Sequence, residues 1–140
     1  MSEYSASYAP VPPQSLEAER SVLGALLQDA GVVASAMELL TPEDFYAPSH
    51  RAIYEAMIGL AQKGIAVDLI TLDAELSRRG TLEGVGGTEY LIQLTQDVPT
   101  TANTPYYIAI VREKSTLRRL ISASNDISHM AYEQQADIQE

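Results

Sequence analysis

After Thr104-Pro105 the sequence runs to about Tyr132 without a glycine or another proline. No other feature restricts the fold so severely. A run of this kind predicts one continuous helix, roughly 40 Å long at 1.5 Å per residue. Its apolar residues Tyr107, Ile110, Val111, Leu117, Leu120, Ile121, Ile127 and Met130 recur at every third or fourth position. They draw one stripe along the helix, weakest around Lys114 and Ser124. A helix this long projects from a domain of 140 residues, so its stripe needs a partner. The sequence then ends in a polar stretch at Glu140, with nothing to finish the pair.

Upstream, helices alternate with clear stop signals. Residues 1–13, MSEYSASYAPVPP, read as a flexible tail, with Tyr4 and Tyr8 as a conceivable docking motif against a solvated terminus. Residues 14–103 read as a compact multi-helix head. Ser15 caps a helix that carries Leu16, Val22, Leu23, Leu26 and Leu27 on one face, with Glu17 and Glu19 in its first turns and Gly31 as its break. A short helix follows through Val33, Ala36, Met37 and Leu40. Thr41-Pro42-Glu43-Asp44 reads as a helix start, and Pro48 as another, leading into a helix over 49–63. Lys63-Gly64 and Arg79-Gly80 are stops: a cation at the negative helix end, then a residue free to turn left-handed. Thr71 reads as the cap of the next helix, with Leu72 and Leu76 inward, and residues 89–96 as the last helix of the head. The fold class is all-α, a globular head followed by a protruding helix over 104–140.

Charge narrows the function. The chain has 9 basic and 19 acidic residues, a net of -10. Up to Asn103 there are 5 basic against 14 acidic residues, and from Thr104 there are 4 against 5. An acidic head disfavours nucleic acid, whose binding draws most of its affinity from phosphate neutralisation. Arg112, Lys114, Arg118 and Arg119 on the long helix form either a nucleic-acid stripe or, as the acidic remainder favours, the polar flank of a packing helix. Without cysteine there is no disulfide framework. No apolar run reaches the ~20 residues of a membrane span, and the start lacks the basic and apolar blocks of a secretory signal.

Catalytic and cofactor signals are weak. The glycine-rich loop 80–87 lacks the strand–loop–helix context and the lysine of a phosphate cradle, so it reads as a helix–helix turn. Asp126 and His129 stand three apart on the long helix, half of a bundle metal motif whose other half is missing. Glu43, Asp44 and His50 have no nucleophile beside them. No catalytic, cofactor or metal residue is assigned, and the candidate subunit and partner interface is Tyr107, Ile110, Val111, Leu117, Leu120, Ile121 and Ile127 of the apolar stripe.

Five strings in order carry a family resemblance. They are residues 14–27 (QSLEAERSVLGALL), 44–54 (DFYAPSHRAIY), 68–72 (DLITL) and 80–91 (GTLEGVGGTEYL), then Ala102-Asn103 with Tyr107 and the run 110–114 (IVREK). Their order and spacing resemble the opening of the DnaB family of replicative DNA helicases, from about residue 12 onward. The resemblance implies a helical head followed by a helical hairpin, of which 104–132 is the first helix and the second begins near Asp137. It further implies a collar of six subunits that docks primase, with a helicase loader as a further partner, in the bacterial cytoplasm. ATP, Mg and DNA would belong to a RecA-like domain further along the parent chain, since no Walker A string occurs here. Two readings compete with an assembly domain of this kind: a free-standing acidic helical adaptor without an ATPase, and a metal-dependent helical enzyme using Asp126 and His129. A GxxxxGK[ST] string beyond Glu140 separates the first from the assembly domain, and metal analysis addresses the second.

Overall fold

A computed structural model describes residues 11–98 and 100–139. Among the described residues six α-helices carry the fold: α1 (Leu16–Gln28), α2 (Gly31–Leu39), α3 (Pro48–Gln62), α4 (Leu69–Arg78), α5 (Gly87–Gln96) and α6 (Thr104–Gln139). Single 3-10 turns at Pro42–Asp44 and Glu83–Val85 link them, and no strand occurs among the described residues.

α1 is the axis of the head. Its face of Val22, Leu23, Leu26 and Leu27 is buried, and the helix packs chiefly against α6 and α5. Leu16, at the other end of the expected face, remains 37% exposed. Ser15 caps the helix, its Oγ accepting the Ala18 N–H at 3.2 Å. The α1–α5 crossing is tight at Gly24, where a Cβ would run into the Leu94 carbonyl oxygen and stand 2.5 Å from Val98 Cγ2. Around this axis Phe45, Ile53, Tyr54, Met57, Leu72, Leu76 and Leu91 complete one core. The Tyr54 hydroxyl donates to the Leu40 carbonyl at 3.0 Å. Burial, and secondarily the charge of Asp44, push its pKa up to about 12.

Local chemistry moved several expected boundaries. α4 starts at Leu69, because Asp68 rather than Thr71 is the cap. Asp68 Oδ1 accepts the Thr71 N–H at 2.8 Å while Thr71 Oγ1 accepts the Asp68 N–H at 2.9 Å, a reciprocal box that Thr71 closes from its third position. α1 ends at Gln28, and Gly31 opens α2, its N–H held by Asp29 Oδ1 at 3.0 Å. The turn after Thr41 stays a single 3-10 turn, and the helix resumes at Pro48. α5 begins at Gly87, ahead of the expected Glu89. The Gly64 stop stands as read: φ is +74°, and the Ile65 N–H closes back on the Leu60 carbonyl at 2.9 Å.

Glu75 ties α4 to the end of α3. Its buried carboxylate accepts from Arg78 at 2.7 and 3.0 Å and from Arg79 at 2.8 Å, with Lys63 Nζ at 3.7 Å. Arg78 first, then Arg79, hold its pKa down from 4.5 to about 2. A carboxyl depressed by folding stabilises above its ordinary pKa and loses that contribution as pH falls through the folded value. The stability difference between the parent and Glu75→Gln will therefore shrink between pH 4.5 and pH 2, read from denaturant midpoints across that range.

The two glycines generate a ranked expectation. Gly64→Ala meets no atom within 4 Å and carries only the left-handed backbone penalty, about 1 kcal/mol. Gly24→Ala must push α5 away from α1 and costs more, about 2–3 kcal/mol. Equal thermal melts for the two variants would contradict the α1–α5 crossing.

Candidate subunit interface

α6 divides into a root inside the head and a shaft outside it. It opens at Thr104, whose hydroxyl donates to the Thr101 carbonyl at 2.7 Å. Thr104, Ile108, Val111 and Ser115 are buried at spacings of four, three and four, which keeps one face on α1. Tyr107 and Ile110 flank that face, partly buried against the core. From Arg119 to Ala136 every residue is exposed. The complete helix of 36 residues is about 54 Å long.

The seven expected interface residues thus fall into two groups. Val111 is 2% exposed and belongs to the head core, and Tyr107 and Ile110 serve mainly to seat the root. Leu117, Leu120, Ile121 and Ile127 are 37%, 59%, 48% and 66% exposed, and Met130 and Tyr132 continue the surface outward. A periodic stripe looks the same whether its cover is the chain's own head or another molecule, so periodicity alone could not locate the division. Ile108, absent from the expected stripe, is core.

The division is fixed by Asp44. Its side chain is nearly enclosed, and its oxygens accept from the Thr41 N–H at 2.8 Å, the Ser115 hydroxyl at 2.7 Å and the Arg119 guanidinium at 2.5 Å. Arg118, one position earlier, donates to the Asp44 carbonyl and to the Pro13 carbonyl, each at 2.8 Å, and lies 5.5 Å over the Tyr46 ring. Two of the four basic residues of the long helix are therefore engaged by the head. Pro13, read as tail, is held on α6, whereas Tyr4 and Tyr8 lie outside the described residues. The link between Asp44 and Ser115 spans 71 positions, and the only sequence signal for it was an acid in an apparent helix start.

A second buried polar cluster accounts for His50. Glu19 accepts from the Tyr46 N–H at 2.7 Å and the Ala47 N–H at 3.3 Å, and its Oε1 lies 2.8 Å from His50 Nδ1. His50 Nε2 is 2.6 Å from the Tyr90 hydroxyl, whose pKa is raised mainly by burial. These groups satisfy each other inside the head and connect α1, α3 and α5. On the shaft, His129 Nε2 lies 3.0 Å from Glu133 in an exposed pair. Among the described residues no three His, Cys, Asp or Glu converge as a metal site would require. The loop 80–87 is the helix–helix turn expected, closed by a 3-10 turn and left-handed glycines.

Truncating Asp44 orphans the Ser115 hydroxyl and the Thr41 N–H together. Asp44→Ala is expected to cost about 2–3 kcal/mol, whereas Arg119→Ala, whose side chain is 65% exposed, costs about 1 kcal/mol or less. Urea titration of both variants checks the order, and hydrogen exchange over 104–115 will show the root loosened in the first alone.

Comparison with known proteins covers the head, the root and, for the relatives, part of the shaft. A family model for the DnaB-like helicase N terminal domain matches residues 11–113, from the segment on Arg118 to the root of α6. The replicative DNA helicase DnaB of Geobacillus stearothermophilus is 47% identical over 128 residues, which cover 91% of this chain and 28% of that protein. The crystal structure of the N-terminal domain of DnaB helicase from Mycobacterium tuberculosis superimposes with a TM-score of 0.83 at 45% identity, over 87% of this chain and 88% of that one. A DnaB-like replicative helicase, described with its interactions with primase, matches with a TM-score of 0.77 at 30% identity, over 84% of this chain and 28% of that one. The chain thus spans little more than a quarter of its helicase relative from Geobacillus. With a family match through the head and into the root of α6, and a solved domain of the same fold at 45% identity, the chain belongs to the DnaB-like helicase N-terminal domain family.

Proposed function

We propose that this chain is the assembly and primase-docking domain of a hexameric replicative DNA helicase, and that the shaft of α6 is where subunits meet. The observation that carries this reading is the run of exposed apolar residues beyond Ser115, which the head leaves uncovered. Four such side chains, each gaining about 1.5–3 kcal/mol on full burial, are enough to drive association after the cost of ordering. In the parent the same stripe supports the hairpin and the six-subunit collar. Primase is the partner named for the related helicase of known structure, and a loader is a further one.

ATP hydrolysis with Mg, and the unwinding it drives, are assigned to the part of the parent that these residues do not span. Contact with DNA is assigned there too. The net charge of -10 repels a phosphate backbone, and Arg118 and Arg119 are already engaged by the head. Work in the bacterial cytoplasm follows from the same reading as a replication protein, and among the described residues no helix is long and apolar enough to cross a membrane.

Leu120→Asp with Ile127→Asp tests the assignment, because both positions are more than half exposed and lie outside the core. The variant is expected to keep the parent's thermal melt and to sediment as a monomer where the parent associates. In the parent helicase it should lower hexamer assembly and primase-stimulated unwinding. Unchanged association by a folded variant would move the interface onto the head.

A further inference from the structure

Basic residues are scarce in the head, and three of its five share one corner. Lys63, Arg78 and Arg79 gather around a single carboxylate, Glu75. Its Oε1 meets Arg78 Nε at 3.0 Å and Lys63 Nζ at 3.7 Å, and its Oε2 meets Arg78 Nη2 at 2.7 Å and Arg79 Nε at 2.8 Å. Among the described residues no other carboxylate pairs with these cations. One carboxylate against three cations leaves two positive charges over. Lys63 and Arg79 also end α3 and α4, but two helix ends, each equivalent to about half a negative charge, do not cancel that surplus.

The surplus faces water. The side chains of Arg78 and Lys63 are 62% and 51% exposed. Arg78 gives Glu75 its Nε and Nη2, which leaves the Nη1 donors uncommitted. Arg79 lies flatter, its guanidinium crossing α3 at Gly59, where a Cβ would run into it. Apolar surface continues the corner along α4. Positions 70, 74 and 78 share one face of a helix. Ile70 is 79% exposed, and the small Ala74 between it and Arg78 is exposed as well. The apolar and cationic ends of this ridge stand two turns apart, about 12 Å. We propose that this face of α4, with Lys63 and Arg79 beside it, docks an acidic helical segment of a partner protein, which sets an apolar side chain against Ile70 and its carboxylates against Arg78 and Lys63.

Charge selects the occupant. Apart from this corner, the sequence up to Asn103 has 2 basic residues, Arg20 and Arg51, against 13 acidic ones. A basic segment is held off by the corner itself. A second head, equally acidic, sets its own repulsion against the rest of this one. The phosphate backbone of a nucleic acid overruns a corner this small and meets the same acids. A short acidic segment does neither, because salt screens charges beyond about 8 Å at physiological ionic strength. The planar fork of Arg78 also matches carboxylate geometry. α4 packs on α3 and α5 rather than on the root of α6, so the site is separate from the shaft and independent of how subunits meet.

The probe is a fluorescein-labelled helical peptide of alanine and glutamine with a pair of Glu in its first turn and one Leu two turns later. That direction sets its helix dipole antiparallel to α4. Titrated with the full chain and followed by fluorescence anisotropy, it is expected to bind about tenfold or more tightly than the same peptide with Lys in place of Glu, and less tightly as NaCl is added. Arg78→Gln should remove that preference without moving the circular dichroism melt. Ile70→Ser should weaken the Glu peptide about threefold or more and leave its preference over the Lys peptide. If Arg78→Gln melts early, Lys63→Gln is measured in its place, since its ammonium stands farthest from Glu75. Equal binding of the two peptides, or binding that neither Arg78→Gln nor Lys63→Gln alters, overturns the proposal. Tighter binding of a single-stranded oligonucleotide through the same residues overturns it too, as does a corner variant that lowers self-association in sedimentation while no peptide binds. The corner would then serve nucleic acid in the first case and a second copy in the other.

Discussion

A carboxylate taken out of water must be met by donors, and Asp44 is met by donors from places far apart in the chain. One comes from its own turn, one from the hydroxyl of Ser115 and one from Arg119. The requirement is strong because an unpaired buried charge costs several kcal/mol. The turn at Pro42–Asp44 and the root of α6 therefore cannot separate cheaply, and Arg118 extends the same clamp to Pro13 and Tyr46. The position of the shaft relative to the head follows from this one group more than from the apolar contacts. Those contacts favour burial along the root without fixing where burial stops.

Much of the head was legible because it is written in local chemistry. The cap at Ser15, the left-handed stop at Gly64 and the buried face of α1 each depend on residues within four or five positions. Where the reading missed, the deciding contact was distant or the chemistry ambiguous. Asp68 and Thr71 are both capable caps, and only the reciprocal geometry shows which one leads. Glu19 suits a helix's first turn on electrostatic grounds, yet it is enclosed because Tyr46, Ala47 and His50 come to it from α3 and the turn before it. Asp44 was likewise explained by its own turn, and nothing local pointed 71 positions ahead.

The candidate interface was half legible for a related reason. One stripe runs from Tyr107 to Ile127, and an apolar period records only that each residue wants cover. Val111 finds it in the head, while Ile127 does not. The sequence signal at the boundary is the polar Ser115 on the buried face, which has its hydroxyl committed to Asp44. The family strings implied a single hairpin helix over 104–132 and did not divide it either, although the family model ends close to that boundary, at residue 113.

The shaft is also a lever. From Ser115 to Gln139 the helix extends about 36 Å, with no glycine or proline at which to bend. A stiff rod of that length magnifies small rotations at its fulcrum. A tilt of 10° at the Asp44 clamp sweeps the tip through about 6 Å, more than one turn of helix. Small adjustments among Asp44, Ser115 and Arg119 thus become sideways displacements of several ångströms at the tip. Anything that strains or relaxes the turn at residues 41–46 would therefore show at the far end of the helix as a sideways displacement of its tip.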